Sequence, residues 1–180
     1  MPKSPPPLPY RIAPEEPAHA PAVEALIAES FGPERAKRTV YRFRDGRAPI
    51  AELAFVGLLP EGVGEAAGSE RLVASLNFWE VAAPGGPLPL LGPLAVLPDL
   101  RGRGVGRALV AHGLAAARDQ GWPAVLIVGD PGYYAPFGFS VGPVAGLDLP
   151  GPVGPLTFMG LEFTPGALSE RAGAVVPRPL

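Results

Sequence analysis

Arg101-Gly102-Arg103-Gly104-Val105-Gly106 follows directly on an apolar run that ends at Val96-Leu97-Pro98, and leads into a helix-like segment. Glycines at such a strand-to-helix junction bare the backbone amides, and amides at a helix start make a seat for an anion. The chemistry expected of this turn is the grip of a phosphorylated cofactor, with Arg101, Arg103 and Arg107 adding positive charge around it. Gly102 and Gly104 remove side chains where the backbone must curl, and Gly106 permits close helix packing. Taken alone, the same letters fit a solvent-facing turn rich in Gly and Arg about equally well. The setting between strand and helix favours the phosphate seat.

A second group lies in Tyr133-Tyr134-Ala135-Pro136-Phe137-Gly138-Phe139. A phenol is neutral near pH 7 and can donate its proton to a developing thiolate, whereas its ordinary pKa of about 10 makes it a poor unassisted base. Without further context both tyrosines fit a partly buried packing role, and Phe137 reads as wall rather than chemistry. Glu80, near the end of one expected strand, and Glu52, on an earlier one, are base candidates, although glutamates at such places are usually solvated. His112 stands inside the long helix, about two turns from its anion-binding end, and reads as a surface or packing residue. His19 has no Ser or carboxylate constellation, so a hydrolase triad has little support. Phe78 and Trp79 alternate on a strand, which sends one into the core and the other toward a cleft.

Two familiar phosphate loops do not fit. A P-loop ends in Lys and then Ser or Thr, but Gly106 is followed by Arg107-Ala108. A dinucleotide fingerprint begun at Gly102 needs its last glycine where Arg107 stands. The turn instead resembles that of the Gcn5-related N-acetyltransferase (GNAT) family, in which Gln or Arg, two variable residues, Gly, one variable residue and Gly or Ala follow in order. Arg101, Gly104 and Gly106 occupy those places. The chain is similar in particular to the YhbS-like subgroup, through Leu91-Gly92-Pro93-Leu94-Ala95-Val96, the Arg101 turn, Val128-Gly129-Asp130-Pro131 and Tyr133-Tyr134. The likeness spans roughly residues 8 to 165, and its central stretch is the specific part.

That resemblance implies an α/β acyltransferase fold, with a mixed central sheet, a splayed strand pair and flanking helices. It implies acetyl-CoA as cosubstrate and no metal. The amides of Arg101, Gly102, Arg103, Gly104, Val105, Gly106 and Arg107 would receive the pyrophosphate, and the backbone of Leu94, Ala95 and Val96 would pair with the pantetheine arm. Tyr133 and Phe137 would pack the cofactor, and Tyr134 would protonate the departing sulfur as general acid. Leu90 to Val96 contains no carboxylate, so the central-strand glutamate of some relatives is missing. The base is left open: Glu80 and Glu52 are candidate substitutes, directly or through water, and an amine that binds already neutral needs no strong protein base. The implied function is transfer of an acetyl group to a primary amine, a small molecule or a peptide or protein, by direct attack; a non-catalytic acyl-CoA sensor or regulatory protein is the alternative.

Elements to carry these residues are visible in the pattern. A chain of 180 residues with 47% hydrophobic content suits one domain with a substantial core. The 24 Gly and 26 Pro would suggest low complexity, but the prolines gather between periodic segments. Residues 1–9 are expected to be a flexible Pro-rich tail and 10–180 a single domain. Strands are expected near Tyr10-Arg11-Ile12, from Ile50 to Val56, from Arg71 to Val81, from Leu88 to Val96, from Ala124 to Val128 and from Leu156 to Phe163. Between them lie a long turn near Gly57 to Ser69, a helix carrying Val23, Leu26, Ile27 and Phe31, a short helix from Glu34 to Tyr41, a helix from Gly104 to Gln120 burying Val105, Leu109, Leu114 and Ala116, and one helical turn at Tyr133 to Phe137. Gly92-Pro93 is expected to bend or splay its strand.

The formal charge of -2 gives no general attraction to nucleic acid or an acidic membrane surface, although a local basic patch stays open. No Cys and two His argue against thiolate catalysis, disulfides and metal sites. The absence of a long apolar run argues against a signal peptide or membrane span, and a cytoplasmic location is expected. A homodimer is left open.

Overall fold

The structure is a computed structural model that describes residues 8–61 and 68–180. In chain order these residues form β1 (Arg11–Pro14), α1 (Ala20–Phe31), β2 (Phe55–Glu61), β3 (Ser69–Ala82), β4 (Leu88–Val96), α2 (Val105–Asp119), β5 (Ala124–Val128), α3 (Pro131–Tyr134), β6 (Leu147–Asp148), β7 (Phe158–Glu162), β8 (Gly173–Ala174) and β9 (Val176–Pro177). The main sheet runs β1-β2-β3-β4-β5-β7, with β9 added along β3. Its pairs are antiparallel except for β4 and β5, which are parallel and joined across the sheet by α2. A parallel pair needs such a crossover, which the order strand, glycine turn, helix, strand supplies.

α2 buries Val105, Leu109, Val110, Gly113, Leu114 and Ala117 at helical spacing. Ala116, expected in that stripe, lies at its edge, and Ala117 takes the core position. The helix lies tight on the sheet because Gly113 has no side chain: a Cβ there would stand 2.7 Å from Phe78 Cε2. On the opposite face Val23, Leu26 and Ile27 of α1 pack on Ala13, Val56, Leu58 and Ala95. A third cluster joins Phe43, Val81, Leu88, Leu90, Leu126 and Leu168. Arg171 fastens this C-terminal part by donating to the carbonyls of Pro84 at 3.0 Å and Gly86 at 2.8 Å.

Several expected boundaries are corrected. β2 runs on to Glu61, so Gly57 is a strand residue facing α2 rather than the start of a turn, and residues 62–67 of that connection lie outside the described residues. Ala51–Leu53 forms a 3-10 turn that leaves Glu52 exposed, because Ile50 and Leu53 fit a tight turn as well as an alternating strand. Pro33–Lys37 and Thr39–Phe43 are two 3-10 turns broken at Arg38, whose ψ of 143° is extended, not one helix. The last long strand starts at Phe158, since Leu156 has a φ of +61°. Leu8 packs at the edge of the core, and the rest of the expected tail, 1–7, lies outside the described residues.

The splay sits where the sequence placed it. β4 and β5 pair only at Leu90 with Leu126 and at Leu91 with Ile127. Pairing stops at Gly92-Pro93, a cis bond, and proline has no N–H to continue a ladder. On the other side of β4, Leu76 opposes Leu94 and Phe78 opposes Leu91, so Asn77 alone faces both Gly92 and Pro93. Such a bulge bends the strand and lets its edge turn away from its neighbour. Leu94 to Val96 therefore keep their β3 partners while having no β5 partner among the described residues.

Candidate functional site

Gly102 and Gly104 have φ values of +76° and +86°, and a Cβ on either would meet nothing within 4 Å. Backbone conformation, not crowding, calls for glycine at these two positions. Gly104 caps α2 without any side-chain hydrogen bond to the helix, which leaves the first-turn amides available to an anion. Arg101 Nε donates to the Val96 carbonyl at 3.2 Å and ties the turn to the end of β4. A cleft of about 580 Å³ opens here, lined by Leu94, Val96, Arg101, Gly102, the run from Gly104 to Arg107 and Tyr133, with Ser30 and Phe31 of α1 as its far wall. Arg103 is exposed and outside this lining. Ala95 points its side chain into the α1 cluster, so only its backbone can face a ligand.

The tyrosines are set by a short helix with a built start. Asp130 Oδ1 accepts from the Gly132 N–H at 3.0 Å, Pro131 follows as first helical residue, and the Asp130 carbonyl accepts from the amides of Tyr133 and Tyr134. Tyr133 thereby reaches the α2 turn, where the Arg107 guanidinium lies 5.1 Å from its ring centre. The Tyr134 ring packs edge-on to Tyr133 at 4.9 Å and Phe139 at 6.0 Å, and lies over Gly129. It faces a second cleft of about 270 Å³, lined by Leu91 to Leu94 at the splay and Ile127 to Asp130 at the end of β5. Burial pushes the Tyr134 phenol well above its ordinary range, and the charges that Tyr133 and Asp130 can carry act the same way. Burial also raises Tyr133, offset in part by Arg107. Phe137 packs beside both rings, 6.1 Å from Tyr133 and 6.3 Å from Tyr134, without lining either cleft.

The glycine turn, Leu94, Val96, Tyr133 and Tyr134 thus converge along one splayed strand, and the base candidates do not join them. Glu80 pairs with Pro89, far along β3, and lines neither cleft. Glu52 sits beside the C-terminal end of α2, where its carbonyl accepts from Gln120 Nε2 at 2.9 Å. His112 is exposed, edge-on to Phe55 at 4.7 Å, and His19 Nδ1 accepts from the Glu16 N–H at 2.9 Å.

The local basic patch left open by the composition lies here, at residues that no motif singles out. Arg35, Arg38 and Arg44 line the second cleft, and Arg35 and Arg44 continue into a third of about 410 Å³ with Tyr41, Asn77 and Trp79. Its signal is five cations and no acid in residues 35–44, within a chain of formal charge -2. Burial draws the Arg44 guanidinium down to about 10, with Arg38 adding and Tyr41 opposing. Among the described residues no group of three or more His, Cys, Asp or Glu side chains could hold a metal, and no helix is long and apolar enough to cross a membrane.

Comparison with known proteins gives the family and the fold. The profile of the Acetyltransferase (GNAT) family matches residues 21–139. The uncharacterized N-acetyltransferase YhbS of Escherichia coli (strain K12) is 31% identical over 129 residues, 71% of each chain. The crystal structure of YhbS from Escherichia coli in complex with CoA superposes with a TM-score of 0.76 at 27% identity, covering 98% of this chain and 93% of that one. A GNAT family acetyltransferase from Brucella melitensis, solved with acetyl-CoA, shares the fold at a TM-score of 0.66 and 24% identity, covering 94% of this chain and 96% of that one.

Proposed function

The chain belongs to the acetyltransferase (GNAT) family, and on that premise we propose that it transfers an acetyl group from acetyl-CoA to a primary amine by direct attack. The relative solved with CoA supports the cosubstrate, and the residues of this chain fit it. The amide seat before α2 stands clear of side chains, Arg101 and Arg107 border it, and the edge of β4 beside it is free of β5. When bound, acetyl-CoA supplies an activated acetyl thioester.

The chain itself has four tasks. Amides of the 101–107 turn hold the pyrophosphate, and the backbone of Leu94 to Val96 orients the pantetheine arm. The splay at Gly92-Pro93 leaves space for both substrates. Tyr134 keeps a proton in the second cleft for the sulfur that leaves. Finally, Arg35, Arg38 and Arg44 favour a neutral amine over an ammonium ion, because like charge disfavours the charged form. An amine delivered neutral needs no strong protein base, which accords with Glu80 and Glu52 standing outside the cleft.

The observation that carries this reading is that one splayed strand has the phosphate-type turn at its end and a half-buried Tyr134 beside its bend. Calorimetry with CoA and a mass-detected screen of amines with acetyl-CoA, after chelation, test it. CoA binding with acetylated product is the expected result. Binding with no product across the amine classes would favour an acyl-CoA sensor, and no binding by folded protein would overturn both.

A further inference from the structure

The segment from Arg35 to Arg44 places Arg35, Lys37, Arg38, Arg42 and Arg44 along the second and third clefts and a further one beside them. Most of these cations are occupied. Arg35 pairs with Glu24 at 3.2 Å, Lys37 with Glu34 at 2.5 Å, and Arg42 donates to the Pro150 carbonyl. Arg38 lies over the Phe31 ring. Arg44 differs in having no anionic partner: it hydrogen-bonds the Tyr41 side chain, lies 5.2 Å from the ring centre of Tyr41 and 5.9 Å from that of Trp79, and no carboxylate among the described residues pairs with it.

The acids facing this region do not compensate Arg44. Glu24 and Asp45 stand exposed at the rim of the third cleft, and Asp130 stands exposed at the second with its Oδ1 on the Gly132 amide. Beneath them Arg44 Nε, Trp79 Nε1 and Asn77 Oδ1 are all out of water with no hydrogen-bond partner. Asn77 is only 5% exposed and lines the third cleft. Unpaired buried polar groups and charges are costly, so a floor built this way asks for a ligand that supplies what is missing.

We infer that the amine acceptor carries a carboxylate, and that Arg44, flanked by Trp79 and Asn77, holds it while the amine reaches the thioester. The inference rests on the acetyl transfer proposed above. A guanidinium fork matches a carboxylate in two parallel hydrogen bonds. Trp79 offers a further donor, and the Asn77 oxygen an acceptor for the N–H of an amino compound. The anchor is also well placed. Arg44 lines both the second and third clefts, and a Cβ on Gly92 would stand 3.3 Å from its Nη2, so the charge sits at the splay itself, in the cleft that Tyr134 faces. Clefts of about 270 and 410 Å³ suit a molecule of amino-acid size.

The test is a binding experiment on CoA-saturated protein carrying Trp122→Phe, so that Trp79 is the remaining tryptophan. N-acetylglycine and N-acetylglycinamide are the probes, identical but for the carboxylate, with inorganic phosphate as a third. A saturable change in Trp79 emission with N-acetylglycine, at least about tenfold weaker with the amide, is expected. Asn77→Asp, which puts a like charge beside the carboxylate at constant shape, abolishes that preference without altering CoA affinity; Arg44→Gln does the same, and Arg44→Lys restores part of it. Equal response to both probes, response to neither, tighter binding of phosphate, or a preference surviving Asn77→Asp would each overturn the inference. Failure of the transfer reading looks different: CoA binds and no amine is acetylated. Acetylation of neutral amines with kcat/KM equal to that of amino acids, unchanged by Asn77→Asp, sinks the carboxylate anchor alone.

Discussion

The Tyr133 hydroxyl occupies the space in which residue 106 would carry a side chain: a Cβ on Gly106 would lie 2.8 Å from it, and 3.3 Å from Val96 Cγ2. The last glycine of the turn thus lets α3 close over α2 and β4 at the mouth of the first cleft. Gly106 lies within α2, outside the glycines with positive φ, so crowding alone demands glycine there.

Gly106→Ala should therefore separate stability from binding. Alanine gains about 1 kcal/mol over glycine inside a helix, which offsets the displacement of Tyr133. The expected outcome is a Tm within a few degrees of the parent and CoA affinity weakened by about 3 to 30-fold, by calorimetry. Unchanged affinity would show that Tyr133 does not shape the cofactor cleft.

Gly104→Val acts through the backbone instead. At a φ of +86° a non-glycine residue costs roughly 1–2 kcal/mol, and a branched side chain also stands where the ligand must approach the amides. Folded protein, checked by circular dichroism, should bind CoA at least about tenfold more weakly. Parent-like affinity in that protein would remove the turn as the pyrophosphate seat.

The parts of the site visible in sequence are those fixed by local physics. The turn at Arg101 to Gly106 needs only positive φ and a following amphipathic helix, and Gly92-Pro93 stops a ladder wherever it falls. The bulge at Asn77 depends on how β3 and β4 pair, and Ser75, Asn77 and Trp79 give no local sign of it. Glu80 and Glu52 were plausible bases because type and spacing say nothing about distance from Tyr134. The cationic wall was present in composition, but which arginines face inward is decided by two 3-10 turns around Arg38, and the residues there also permit an ordinary helix.

Gly129 supports Tyr134 as Gly106 supports Tyr133. A Cβ at residue 129 would lie 2.6 Å from Tyr134 Cε2, which no real side chain tolerates. Gly129→Ala should push the ring out of the second cleft and lower the single-turnover acetylation rate by about 10-fold or more, while CoA affinity stays within about threefold of the parent. A parent-like rate would mean that the ring position does not matter to the chemistry.

Tyr134→Phe keeps the ring and removes the proton. Folding and CoA affinity should remain near the parent, and the single-turnover rate at saturating amine should fall by about 10 to 1,000-fold, with Tyr133→Phe milder. Single turnovers are needed because slow product release would hide a chemical defect. The pH dependence follows from the upward shift of Tyr134. Its active form is the protonated one, and burial holds that form well past the ordinary phenol value of about 10, so rising pH through the range 7 to 9.5 should not remove the acid. The parent rate should therefore show no descending alkaline limb in that window, and any loss should come only above it. A limb near pH 8 that disappears in Tyr134→Phe would show the phenol pKa to be lowered instead, and a Phe variant with the parent chemical rate would transfer the proton to water or another donor.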